Sequence, residues 1–223
     1  MFVHRLFTCT IGWTETPIVR LVVRHGLEAG DFVLLVRPTG SDEKADIALQ
    51  AIKDFLVKML GDLASRSFRV LEIDPLSPIN SIKRIKEVLE EYEVEEVIAI
   101  LSGGMRALLL ETLLGILFSK HFSEDRRILI EVDLEGRNEY IRLDSKILKL
   151  VGWKPSAEQR KLMNALKFEP KPMRALAEEL EVNVSTVYRW FKELEARGLM
   201  KAEKDKESRA VKLRLTDLSE LVI

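Results

Sequence analysis

The stretch EVIAILSGGMRALLLETLLGILFSK, residues 96–120, decides the fold. Glu96–Leu101 is a short, nearly continuous apolar run, as a strand covered on both faces requires. Ser102–Gly104 breaks it with two glycines. Met105–Lys120 is too long for a strand and reads as helix. It is apolar on almost every side (Leu108, Leu109, Leu110, Leu113, Leu114, Ile116, Leu117, Phe118). Such a helix belongs in the cover of a sheet or in an interface between two copies. Strand, glycine turn and helix form the repeating unit of a parallel α/β sheet.

The same unit recurs on both sides. Phe2–Cys9 is apolar enough for a buried strand, followed by a loop over Thr10–Thr16 and a helix over Pro17–Arg24 with proline in its first turn. Asp31–Arg37 is a second buried strand, ended by Pro38, Thr39 and Gly40. Ser41 opens a helix to about Leu63, with Ile47, Leu49, Ile52, Phe55, Leu56, Met59 and Leu60 at helical spacing. Phe68–Ile73 reads as strand and Ile79–Tyr92 as amphipathic helix. Arg127–Asp133 and Asn138–Leu143 read as strands joined by the turn Leu134–Arg137. This order predicts an α/β, Rossmann-like, mostly parallel sheet with helices on both faces.

Functional loops of such sheets lie at the C-terminal ends of strands. Two loops there combine glycine with polar residues: Gly12-Trp13-Thr14-Glu15-Thr16 and Ser102-Gly103-Gly104-Met105-Arg106. The second lacks the G-x-G-x-x-G spacing of a dinucleotide fingerprint and the Gly-Lys-Ser/Thr end of a P-loop. A helix starting at Met105 aims free N–H groups at the loop, and Arg106 adds a cation, the chemistry of a phosphate site. On the residues alone a plain geometric turn remains the other reading.

From Pro155 the pattern changes. Ser156–Lys167, Pro172–Leu180 and Val184–Arg197 read as helices, the last ended by Gly198. Leu199–Glu203 and Ala210–Leu215 then form a hairpin around the charged tip 204–209, and Thr216–Ile223 a final turn or tail. Three helices and a hairpin are the order of an α+β winged helix-turn-helix. The expected division is 1–145, a linker at 146–155, and 156–223. In Leu180–Met200, LEVNVSTVYRWFKELEARGLM, Val187, Phe191 and Leu194 share the core face, and Asn183 is placed as a cap. The opposite face offers Ser185, Thr186, Tyr188, Arg189 and Lys192 to a major groove. Lys204, Lys206 and Arg209 at the wing would follow the phosphate backbone or the minor groove, although Asp205 and Glu207 dilute their charge. Trp190 fits the core better than a base contact. A protein-binding or dimerisation role for the winged helix is the competing reading.

Charge supports two tasks. The 35 Lys+Arg nearly balance 36 Asp+Glu over 223 residues. Residues 1–149 carry 20 basic and 24 acidic side chains, net −4, whereas 150–223 carry 15 and 12, net +3. Cys9 is the only cysteine, so no intramolecular disulfide or cysteine-based zinc site can form. His4, His25 and His121 lack ligand spacing, so neither metal nor cofactor is expected. No apolar run reaches membrane-spanning length, which predicts a cytoplasmic protein without a membrane partner. Asn and Gln together number 6, a composition that fits a thermophilic source.

Together these motifs resemble the archaeal CRISPR-associated transcriptional regulators, in which a CRISPR-associated Rossmann fold (CARF) domain precedes a winged helix-turn-helix. The resemblance rests on Gly12–Pro17, on LSGGMRAL at Leu101–Leu108, and on the winged segment. It implies a homodimer whose two-fold groove binds a cyclic oligoadenylate, commonly cyclic tetra-adenylate, and whose winged helices bind double-stranded DNA. It places Gly12, Trp13, Thr14, Glu15 and Thr16 with Ser102, Gly103, Gly104, Met105 and Arg106 along that groove. Some CARF domains cleave the ring, so a ring nuclease is the alternative. Ser102 and Arg106 would then orient the reaction, with no catalytic histidine in either loop. A regulator of another nucleotide is a third reading.

Overall fold

Six strands and their crossover helices build the first of two units in the computed structural model, Met1–Ser145, and Lys146–Ile223 form the second. The structure describes residues 2–40, 43–61, 67–124, 126–134, 137, 139–204 and 211–222, with only the backbone of Phe2.

Strand β1 (Phe2–Thr10) leads to helix α1 (Thr16–His25), β2 (Phe32–Pro38), α2 (Glu43–Leu60) and β3 (Phe68–Ile73). Then come α3 (Pro78–Glu90), β4 (Glu93–Ile100), α4 (Arg106–Leu117), the short α5 (Lys120–Ser123), β5 (Arg127–Asp133) and β6 (Tyr140–Asp144). The sheet order is β3-β2-β1-β4-β5-β6. All neighbours are parallel except β5 and β6, which pair antiparallel with Asp133 opposite Tyr140. Strand order reverses between β1 and β4, so the crevice of this Rossmann-like sheet opens between their C-terminal ends. On one face, Phe7, Cys9, Leu35, Ile98 and Leu129 pack with Ile18 and Leu21 of α1 and Ile52 and Leu56 of α2. Helices α3 and α4 pack against each other, and Gly115 permits their close approach, since a Cβ there would lie 2.6 Å from Ile85 Cγ2.

The elements depart from the sequence expectation at several ends. Strand β4 starts at Glu93 instead of Glu96, because Val94 pairs with Val3 and is buried between the exposed Glu93 and Glu95. The helix expected over Met105–Lys120 covers only Arg106–Leu117. The Ser119 hydroxyl donates to the Ile116 carbonyl at 2.7 Å, and the Lys120 N–H donates to Glu90 Oε1 at 2.7 Å, which starts α5 in a new direction. Helix α4 is also not buried all round. Leu108 and Ile116 lie in the core, whereas Leu110 is 61% and Phe118 63% exposed. Ser41, Asp42, Leu63 and parts of the Leu134–Arg137 turn lie outside the described residues.

The second unit contains α6 (Ser145–Leu148, shared with the boundary), α7 (Ala157–Ala165), β7 (Lys171–Pro172), α8 (Met173–Glu179), α9 (Val184–Ala196), β8 (Met200–Lys204), β9 (Val211–Leu215) and a 3-10 turn at Asp217–Leu221. Ser156 caps α7 through a reciprocal capping box with Gln159. Three helices and the sheet β7-β9-β8 make a winged helix-turn-helix. Its core joins Leu162, Met163, Leu176, Val187, Phe191, Leu194 and Leu213. The segment 146–155, expected as a linker, belongs to this unit: Leu150 is buried in that core and Trp153 packs on it. Apolar side chains in a connection find cover, and α6 supplies the turn that brings them there.

Candidate ligand loops and nucleic-acid interface

The crossing from β1 to α1 and the crossing from β4 to α4 place Gly12–Thr16 and Ser102–Arg106 side by side at the strand-order reversal. The loops touch through backbone. A Cβ on Gly103 would sit 2.7 Å from the Thr10 carbonyl oxygen, and one on Gly104 would sit 2.5 Å from that of Ile11. Gly104 also has φ +92°, a conformation that side chains disfavour. The glycines therefore close one loop onto the other: Gly103 is buried in that contact, whereas Gly12 is half-buried and Gly104 exposed at the surface the two loops share.

Other loop residues face outward. Trp13 is 68% exposed, an unusual position for tryptophan, and the Lys44 ammonium lies 5.5 Å from its ring centre. Thr14 and Thr16 are exposed. Glu15 starts α1 through its carbonyl, which accepts from Ile18 and Val19 at 3.0 and 3.1 Å. Met105 precedes α4 in extended conformation. Arg106 is exposed and has no ion-pair partner among the described residues. Ser102 is half-buried, and its Oγ accepts the Asp133 N–H at 2.7 Å.

Below Ser102 lies a charge network absent from the sequence reading. Glu131 is fully buried and meets Arg142 at 2.7 Å, His25 at 3.2 Å and Arg24 at 3.3 Å. Arg24 also pairs with Asp133 at 2.7 Å and stacks on Tyr140 at 4.2 Å. The Glu131 hydrogen bond holds the Arg142 guanidinium even more firmly protonated than usual. A usable signal existed: Glu131 and Asp133, two apart on a buried strand, face α1, where Arg20 and Arg24 are spaced by four.

On the other face of the sheet Glu111 is 4% exposed, and its Oε2 has no hydrogen-bond partner. Burial, with the Asp74 carboxylate adding to it, pushes the Glu111 pKa above the ordinary carboxylate value.

In the second unit Ser185, Tyr188, Arg189 and Lys192 are exposed along α9 and Thr186 is half-buried, while Val187, Phe191 and Leu194 are buried. Trp190 packs partly buried on the core. Asn183 stands at the start of α9, but its side chain makes no capping bond. Its carbonyl instead accepts from Thr186 and Val187 at 2.9 and 3.2 Å. Lys192 is engaged with Glu195 at 2.6 Å, so its charge is partly neutralised on the helix itself. Arg189 has no ion-pair partner among the described residues. Lys204 ends β8 and is exposed. Lys206 and Arg209 lie outside the described residues. Arg174 of α8, passed over in the sequence, borders a depression of about 490 Å³ with Asn183 and Val184. Its isolation on a short helix gave no periodic signal.

Among the described residues no cluster of three or more potential ligands could hold a metal ion, and no helix is long and apolar enough to cross a membrane.

Residues 5–144 match the family model described as the Csa3 CRISPR-associated Rossmann-like domain. No curated protein matches the chain. Among solved structures, the PcaV transcriptional regulator from Streptomyces coelicolor, in complex with its natural ligand, is 27% identical over 30% of this chain and 50% of its own, with TM-score 0.29. A MarR-like transcriptional regulator from Thermotoga maritima is 23% identical over 53% of this chain and 70% of its own, with TM-score 0.29. A homodimeric winged helix-turn-helix domain from Mycobacterium bovis, a possible ArsR-family regulator, is 18% identical over 34% and 68%, with TM-score 0.29. The match thus spans half the length of the first of these proteins.

Proposed function

The chain belongs to the family of the Csa3 CRISPR-associated Rossmann-like domain, and from that premise we propose that it is a DNA-binding transcriptional regulator of CRISPR-Cas genes controlled by a cyclic oligoadenylate. The observation that carries the reading is the face of α9. Ser185, Tyr188 and Arg189 stand exposed on a helix whose other face is locked into a winged frame. A helix so presented fits the major groove, with Arg189 as the cation available to a guanine edge or a phosphate. Arg174 and Lys204 add backbone contacts.

The ligand reading rests on the paired loops. Exposed Trp13 offers a stacking surface for a base, and Arg106 with the start of α4 offers positive charge to phosphates. In a two-fold dimer each loop occurs twice, which suits cyclic tetra-adenylate. Leu110, Leu114 and Phe118 supply the apolar face for that dimer. A gel shift on promoter DNA upstream of CRISPR-associated genes, at low salt with and without cyclic tetra-adenylate, tests the regulator. Absence of binding to any such DNA sinks it.

Ring cleavage is the second reading, favoured by one observation: Ser102 sits in one loop with Arg106, which has no ion-pair partner among the described residues. There they could steady a phosphate while a ribose 2′-oxygen attacks it and the 5′-oxygen leaves. Labelled cyclic tetra-adenylate separates the readings, since a sensor retains the intact ring and a nuclease returns linear product.

A further inference from the structure

Strand β4 leaves the sheet at Ser102. The Leu101 N–H still bonds to the Glu131 carbonyl at 2.9 Å, as a parallel ladder requires. The next N–H of β5 on that side, Asp133, donates at 2.7 Å to the Ser102 hydroxyl oxygen. Without an acceptor in that side chain, the Asp133 N–H would lose its partner where the strand departs.

A hydroxyl has one proton and two lone pairs. Asp133 occupies a lone pair of Ser102, and the Ser102 proton has no acceptor among the described residues. The donor on β5 thus orients the hydroxyl and leaves its proton for something outside the sheet. The place of Asp133 is fixed in turn. Arg24 holds its carboxylate at 2.7 Å, reaches Glu131 at 3.3 Å, and lies over the Tyr140 ring at 4.2 Å. Arg20 is the other cation near Asp133, at 3.9 Å, beyond hydrogen-bond distance.

We propose that Arg24 is a positioning residue of the ligand loop: acting through Asp133, it sets the Ser102 hydroxyl so that its proton is presented to a ligand phosphate. The inference rests on reading Ser102–Arg106 as a ligand loop. When a phosphate oxygen accepts the Ser102 proton, Ser102 becomes a better acceptor, and its bond from Asp133 strengthens. Asp133 ends the first strand of the hairpin whose second strand, β6, ends at Asp144, next in sequence to the unit boundary.

Amide exchange at Asp133 and affinity for cyclic tetra-adenylate test the link on the full chain. Without ligand, Ser102→Ala and Arg24→Gln should both speed Asp133 exchange by about tenfold or more. Unchanged exchange in Arg24→Gln overturns the proposal. With ligand, Arg24→Gln should weaken affinity about five- to tenfold in the otherwise native chain and have little effect in a Ser102→Ala background. An equal loss in both backgrounds means that Arg24 supports the fold alone, and also overturns it. If Arg24→Gln does not fold, Asp133→Asn, which keeps the amide and the side-chain shape, is subject to the same two comparisons. If the native chain retains no ring, the functional reading fails, and the exchange measurement decides the Arg24 link alone.

Discussion

Gly12 and Gly104 meet backbone to backbone: a Cβ on Gly12 would lie 2.5 Å from the Gly104 amide nitrogen. Two loops far apart in sequence are thereby closed into one surface where the strand order reverses. The contact divides labour within the loops. Glycines make the approach, and Trp13 and Arg106 stand exposed around it with Ser102 half-buried.

Gly103→Ala therefore should destabilise the first unit by about 1–3 kcal/mol, because its Cβ would press on the Thr10 carbonyl oxygen. Gly104→Ala should cost more, since it adds a strained φ of +92° to a clash with the Ile11 carbonyl oxygen. Denaturant midpoints at unchanged slope measure both losses. A Gly104→Ala protein as stable as the parent contradicts the loop contact.

The strand–helix alternation was legible because buried parallel strands carry unbroken apolar runs such as Phe32–Val36 and their helices carry 3.6-residue periodicity. Strand β3 runs from Phe68 to Ile73, the ends that its sequence predicts. The mixed start of β4 was hidden, because Glu93, Val94 and Glu95 alternate as an exposed segment does. Strand β7 was invisible, being two residues that end in Pro172 and acquire strand character only by pairing with β9. In the site, the two loops could be placed from topology, and the spacing of Glu131 with Asp133 and of Arg20 with Arg24 pointed to charge on facing elements, but the mutual contact of the loops and the pairing within the network under Ser102 could not be read. Arg24 and Asp133 are 109 residues apart and meet only in the folded chain.

Glu111 should make stability fall as pH rises. Burial and the facing Asp74 raise its pKa in the folded state. Below the ordinary carboxylate value both folded and unfolded chains keep the proton, and ionisation costs nothing. Above that value the unfolded chain ionises first, so native stability declines until the folded pKa is passed. Glu111→Gln should then stabilise the protein by about 1 kcal/mol near pH 8, where the carboxylate lacks a partner, and by nothing near pH 3.5. Thermal unfolding at both values measures this. A gain independent of pH removes ionisation as the cause.

The exposed apolar face of α4 should hold two copies together. Leu110 and Phe118 are more than half exposed although both belong to an apolar run. Leu110→Glu combined with Phe118→Glu places charge on that face without touching Leu108 or Ile116 in the core. The variant should keep its fold by circular dichroism yet run as a monomer in sedimentation. Two copies persisting at micromolar concentration would place the interface elsewhere.

Arg189 and Lys192, both exposed on α9, should differ in their effect on DNA binding because only Lys192 has a partner on its own helix. Its ammonium lies 2.6 Å from Glu195, which raises its pKa, so a DNA phosphate must compete with that carboxylate. Lys192→Ala should therefore lower affinity only slightly, and by less than the loss at Arg189. Arg189 has no such competitor among the described residues and carries a planar fork suited to a guanine edge. Arg189→Ala should cost about 1–3 kcal/mol on the preferred site. If Arg189 reads a base, the loss shrinks on unrelated DNA; if it contacts a phosphate, the loss is uniform across sequences and the salt slope falls by about one. Titrations of both variants against specific and unrelated duplexes at two salt concentrations separate these outcomes. A larger effect at Lys192 than at Arg189 would show that α9 meets DNA through its C-terminal half.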